Sequence, residues 1–169
     1  PAGTVHCSGA DTMVLEISAT PYIFTFKLWD WGRVDLDGKP RPIHLEHGAA
    51  NIQWYRNTEW VHKNLINAVA EVYSDENGTV VRTGLHEREF LDTFRFTTSS
   101  ALPVHRNGSV HMLNLVDGTR AVLRSKSDAF PPLELHYAET CIVPQAAGDY
   151  EIYSPDGSEV KVILACVRN

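Results

Sequence analysis

The 169-residue chain reads as an all-β protein, an antiparallel barrel or sandwich with a few short helices. Three observations predict this. From Ala68 onward, runs rich in Val, Ile, Thr, Tyr and Phe alternate with polar residues, the pattern of half-buried strands. Turn chemistry punctuates those runs at Asn77-Gly78, Asn107-Gly108, Asp117-Gly118, Pro131-Pro132, Gly148-Asp149 and Asp156-Gly157. No strand–helix–strand alternation occurs, which argues against a parallel sheet. With 43% hydrophobic and 21% charged residues, the chain has the composition of a globular protein and not of a disordered tail.

Taken in order, residues 12–18 and 22–29 are β-branched and aromatic runs and predict two strands. Residues 30–41 turn to Asp, Gly, Pro and charge, a loop with its turn at Asp37-Gly38. Helical periodicity appears at 44–52 and 58–67, where Thr58 is placed to cap and Trp60, Val61 and Leu65 form an apolar stripe. The remaining strands are expected at 68–74, 79–84, 88–98, 109–116, 119–125, 133–143, 148–154 and 159–167. Residues 68–169 are therefore expected to be one complete β domain. Residues 1–67 are expected to be the truncated end of a different one.

Charge and segment patterns exclude several classes of function. A net charge of −6 does not supply the basic face that a duplex needs, so nucleic acid is not an expected partner. No apolar run approaches a membrane span, and no signal-peptide pattern opens the chain, so a cytoplasmic location is expected. Cys7, Cys141 and Cys166 are widely spaced and odd in number, which reads as reduced thiols. The glycosylation-type triplets at Asn77 and Asn107 are Asn-Gly pairs, and hairpin turns account for them.

The informative motif is Pro1-x-Gly3-x-x-His6. Proline fixes the approach to a turn, glycine supplies a backbone position closed to other residues, and a strand then begins on an imidazole suited to a divalent metal. Pro144-Gln145-Ala146-Ala147-Gly148-Asp149-Tyr150 holds the same place late in the second unit, with no histidine. Two such elements suggest two related barrels in tandem and resemble the cupin superfamily, whose second signature is such a stretch. The expected fold is thus a cupin-like antiparallel jelly-roll barrel with few short helices, preceded by the end of a first cupin barrel.

The series PAGTVHCSG, VLEI and KLWDWGR…DGKPRPIHLE further resembles the class I mannose-6-phosphate isomerases. That resemblance implies a metal-dependent aldose–ketose isomerase interconverting mannose 6-phosphate and fructose 6-phosphate, with zinc as cofactor and a phosphorylated hexose as substrate. It implies His6 as one metal ligand, the others being a Gln, a His and a Glu from earlier in such chains. It places Glu16 on the active-site glutamate, with proton transfer or support of the metal site as its role. Lys27 stands at the family's active-site arginine, one residue further on because of Pro21-Tyr22-Ile23. Lysine keeps the charge and loses the bidentate fork. Arg33 matches the arginine closing Trp29-Asp30-Trp31-Gly32-Arg33. The missing N-terminal part of the same protein is then a partner, this fragment is expected to be inactive, and self-association stays open.

Two readings from other classes remain beside it: a non-catalytic sugar-binding or regulatory cupin module, and a purely structural domain. His44 and His47 share a helical face but read as solvated or capping residues. His62, His86, His105, His111 and His136 show no ligand spacing and read as structural or surface residues. Trp29 and Trp31 are expected to alternate, one facing inward, and Cys7 is expected to be buried.

Overall fold

In the computed structural model, which describes residues 1–18, 25–84 and 86–168, ten strands lie between Ala70 and Val167. They are β1 (Ala70–Asp75), β2 (Gly78–Arg82), β3 (Leu91–Thr98), β4 (Ala101–Val104), β5 (His111–Asp117), β6 (Arg120–Ser125), β7 (Leu133–His136), β8 (Thr140–Val143), β9 (Tyr150–Tyr153) and β10 (Val160–Val167). One sheet has the order β1-β2-β3-β10-β5-β8 and the other β4-β9-β6-β7. Every pairing is antiparallel. From β3 to β10 the pairs nest: β3 with β10, β4 with β9, β5 with β8, β6 with β7. This is one long hairpin folded over into two sheets, the jelly roll. The expected antiparallel jelly-roll barrel with few short helices is the observed one for residues 70–167.

Period-2 alternation builds the interior. Along β5, His111, Leu113 and Leu115 are buried, whereas Met112 is exposed. Along β10, Val160, Val162, Leu164 and Cys166 point the same way, and along β9 Tyr150 and Ile152 do. These residues join Leu102, Val104, Ala121, Leu123 and Leu135 in a single core cluster. This cluster packs the barrel interior around a pocket described below.

Two details of the strand expectations are corrected. The 133–143 run is two strands, because Ala138 at φ 65° and its neighbours turn the chain between β7 and β8. Strand β4 falls in a stretch the pattern had passed over, since Pro103 interrupts it. Pro103 sits on an edge strand, where its missing N–H costs no ladder bond. The β1–β2 connection is a hairpin whose loop is Glu76-Asn77. Asn107-Gly108 is not a hairpin, because β4 and β5 lie in different sheets and the loop carries the chain across.

The chain divides by contacts into Pro1–Ile66 and Asn67–Asn169. The first unit holds two helices, α1 (Leu45–Asn51) and α2 (Thr58–Asn64). The cap of α2 is Asn57, whose side chain accepts from Trp60 N–H, and not Thr58. Residues 12–18 form no ladder, and neither do 25–29; the remainder of the expected 22–29 strand lies outside the described residues. Among the described residues these segments have no pairing partner: Met13, Val14 and Leu15 are exposed, and a segment without neighbours satisfies its backbone with water. Cys7 is exposed, not buried. Trp29 and Trp31 are both exposed, because Trp31 at φ 58° breaks the alternation in a turn with Gly32.

Candidate functional site

The Pro1–His6 turn is built as its residue types dictate. Thr4 N–H donates to the Pro1 carbonyl, and Gly3 has φ +80°. A Cβ on Gly3 would stand 2.6 Å from the Asn51 carbonyl oxygen, so both conformation and space require glycine. Arg56 fastens the turn, its Nη1 donating to the Pro1 carbonyl at 3.1 Å and to Thr4 Oγ1 at 2.9 Å. His6 is exposed, with Nδ1 3.0 Å from the Thr4 carbonyl oxygen. That contact engages Nδ1, the ring nitrogen that a metal-bound histidine coordinating through Nε2 would give to a carbonyl. One imidazole is nevertheless one ligand. Among the described residues no group of three or more His, Cys, Asp or Glu is placed to hold a metal, so they do not by themselves fit zinc.

Glu16 is exposed in the extended segment. Lys27 lies beside Asp30, Nζ to Oδ2 at 3.5 Å, and Arg41 Nε reaches the same oxygen at 2.9 Å. Asp30 is buried between these two cations. Arg33 is exposed; its N–H donates to the Asp30 carbonyl, and its carbonyl accepts from Arg41 N–H. Lys27, Asp30, Arg33 and Arg41 thus meet in one turn. Among the described residues, no hydrogen bond or ion pair joins His6 or Glu16 to Lys27 or Arg33. Arg41, Asp30 and Arg56 were not singled out by sequence, because a lone Asp or Arg in a loop carries no spacing signature. His44 and His47 have structural roles: His44 Nδ1 accepts from Lys27 N–H, and His47 stacks on Phe26.

The second unit has a polar cluster of its own. His111, only 2% exposed, is bracketed by Tyr150 and Asn107, with Nδ1 2.9 Å from Tyr150 Oη and Nε2 3.1 Å from Asn107 Oδ1. The Asn107 amide is oriented by the main chain: its Oδ1 accepts from Ser109 N–H, and its Nδ2 donates to the Val167 carbonyl. His111 Nε2 therefore carries the proton, and Nδ1 accepts from the Tyr150 hydroxyl. Burial, with nearby Arg106 adding to it, pushes the His111 pKa down to about 4. Burial raises the Tyr150 hydroxyl and the Cys166 thiol above their ordinary ranges.

Arg106 closes this end of the barrel. It donates to Gln145 Oε1 at 3.1 Å and to the Ser109 and Val143 carbonyls, while its N–H donates to Asp149 Oδ1. His105 Nδ1 lies 2.8 Å from Asp149 Oδ2. The Pro144–Tyr150 motif thus enters β9 through a single 3-10 turn, and an inward tyrosine stands at its end. Sequence spacing left His111 among the scattered histidines. The apolar alternation His111-x-Leu113-x-Leu115 is the signal that puts it on the inner face.

Beside this cluster a pocket of about 420 Å³ opens into the barrel. Phe94, Phe96, Val80, Val104 and Leu164 form its walls, and His111, Asn107 and Cys166 add polar groups to its lining. Asp92 lines one side, held by Arg82 and by Arg168 Nε at 2.9 Å, both on Oδ1. Val72 and Tyr73 also line it, although neighbours on a regular strand face opposite ways. The irregularity between Glu71 and Tyr73 leaves Val72 as the extra residue of a bulge, which re-aims both side chains.

No family profile matches the chain, and no curated protein matches it by sequence. Solved structures do match by shape. A mannose 6-phosphate isomerase from Bacillus subtilis superposes over 81% of this chain with a TM-score of 0.57 at 14% identity. The chain spans 38% of that isomerase's length. A cupin-2 domain protein from Rhodospirillum rubrum matches over 61% of this chain and 72% of its own, with a TM-score of 0.49 at 10% identity. Vicilin from hazelnut, Corylus avellana, matches over 59% of this chain and 31% of its own, with a TM-score of 0.48 at 12% identity. At these identities the likeness is one of fold, and it agrees with the jelly-roll barrel given by the nested strand order.

Proposed function

We propose that this chain is the C-terminal portion of a metal-dependent sugar-phosphate isomerase of the mannose-6-phosphate isomerase kind. The observation that carries the reading is the Pro1–His6 turn, where glycine is required by conformation and space and the His6 ring is held by Nδ1 at the Thr4 carbonyl. The fold likeness to an isomerase over 81% of the chain supports it. In this reading His6 supplies one zinc ligand, and a preceding segment of the same cytoplasmic protein supplies the rest. Zinc, when bound, polarises the sugar oxygens.

The chain's own residues then have distinct tasks. Glu16 moves a proton between the adjacent carbons of the sugar or orients the metal site. Lys27 and Arg33 hold the phosphate or the developing enediolate oxygen. Asp30, shared by Lys27 and Arg41, fixes where the lysine ammonium stands. The test is conversion of mannose 6-phosphate to fructose 6-phosphate, with zinc stoichiometry, in the longer protein that carries these residues. His6→Ala is expected to lower bound zinc well below one per chain and kcat by at least a hundredfold. Full zinc and full activity in that variant would sink the proposal.

A second reading, a non-catalytic binding module, is favoured by a different observation. The barrel of residues 67–169 has a formed pocket in whose lining His111 and Asn107 are hydrogen-bonded to each other. Absence of isomerase activity in the longer zinc-loaded protein would leave this reading in place.

A further inference from the structure

The pocket in the second barrel is built for a ligand of a definite kind. Its walls are apolar and include two rings, Phe94 and Phe96, with Leu164 and Val104. At about 420 Å³ it has room for a single-ring molecule with substituents. The β1 bulge lets both Val72 and Tyr73 line the pocket, a departure from regular strand alternation.

Charge narrows the class. Asp92 presents a carboxylate to the pocket, which disfavours an anion such as a phosphate ester. Two guanidiniums, Arg82 and Arg168, flank that carboxylate and disfavour a cation. Arg168 has little left to offer an anion, since its nitrogens also serve the Gly84, His86, Glu87 and Leu91 carbonyls. A neutral molecule remains.

Hydrogen bonding narrows it further. Both His111 nitrogens are occupied by Tyr150 and Asn107. Both cations sit on Asp92 Oδ1, and among the described residues Oδ2 has no partner. At Asp92 the open position is therefore an acceptor, one that an O–H donor would meet. We propose that the 67–169 barrel binds a neutral, ring-bearing hydroxyl compound, its ring between Phe94, Phe96 and Leu164 and its hydroxyl on Asp92 Oδ2. This goes beyond the isomerase reading and does not depend on it.

The experiment is a titration of the 169-residue chain with phenol, anisole and mannose 6-phosphate, followed by NMR shifts of Phe94, Phe96 and Leu164. Phenol is expected to give saturable shifts at these residues in the millimolar range. Anisole, which matches phenol in ring but lacks the donor, is expected to bind about tenfold more weakly. Val72→Trp, at an exposed position of the entrance, is expected to weaken phenol about tenfold while the other barrel resonances stay in place. Absence of saturable shifts with phenol would overturn the proposal. So would equal affinity for anisole, displacement of phenol by mannose 6-phosphate, or undiminished binding in Val72→Trp. None of these results bears on His6 or on isomerase activity, so the two readings fail separately.

Discussion

His111 is the residue at which burial, tautomer and titration are tied most closely. Its ring is neutral in the folded chain because desolvation and Arg106 disfavour the imidazolium, while Asp149 pulls weakly the other way. Its pKa falls from 6.5 to about 4, so the unfolded chain takes up the proton first as pH drops. Stability is therefore full above the unfolded value and lost progressively as pH falls toward the folded one. The loss is roughly 3 kcal/mol across that window. Urea midpoints of wild type and His111→Gln across pH 7 to 4 check this, and the variant is expected to lose the histidine part of the slope. Equal slopes would show that His111 does not set it. The carboxylates of Asp149 and Asp117, lowered by their hydrogen bonds, release their stabilisation only further down. Of the residues singled out by sequence, His6 and Gly3 rested on a motif with a backbone reason. His111 had only the face of its strand to identify it.

At the scale of elements, Arg168 acts as a clamp. From just beyond β10 its guanidinium gathers four main-chain carbonyls of the 84–91 connection and the Asp92 carboxylate. Arg168→Ala removes these charge-assisted bonds from a side chain that is mostly buried and is expected to cost about 2–4 kcal/mol. Faster amide exchange should follow in residues 86–91 and at Asp92, measured by mass spectrometry. Unchanged exchange there would refute the clamp. Sequence reasoning recovered β1, β2, β3, β5, β6, β9 and β10, and all of these but the exposed β1 alternate against a real interior. Strand β4 escaped because a proline stood in it, and the helix cap moved one residue because Asn57 and Thr58 are both competent caps. Residues 12–18 show the opposite failure, since β-type composition alone makes no strand where no partner is paired.

Over the whole molecule the buried apolar residues are unevenly distributed. The core cluster is drawn from residues 80–166, and among the described residues of Pro1–Ile66 only Asp30 and Gly48 are buried. Subtilisin is accordingly expected to remove the first unit early and leave a resistant fragment beginning near Asn67, with its β spectrum intact. Equal resistance of both units would contradict this. The fold class was legible because turn residues and alternation repeat along most of the chain. The site was legible only in part, because pockets and ion-pair networks bring together residues such as Asp92, Val72 and Arg168 that share no local pattern.

The nested strand order also has a kinetic side. β10 lies between β3 and β5, two strands made long before it, and pairs with both along most of its length. During synthesis those two strands have their inner faces and ladder edges ready while the strand that joins them is still inside the ribosome. The two parts of the six-stranded sheet, β1-β2-β3 and β5-β8, can be joined only when residues 160–167 emerge, which makes closure a late event. Until that moment the nascent chain carries open strand edges, which makes the interval between β5 and β10 the period of greatest exposure to mispairing.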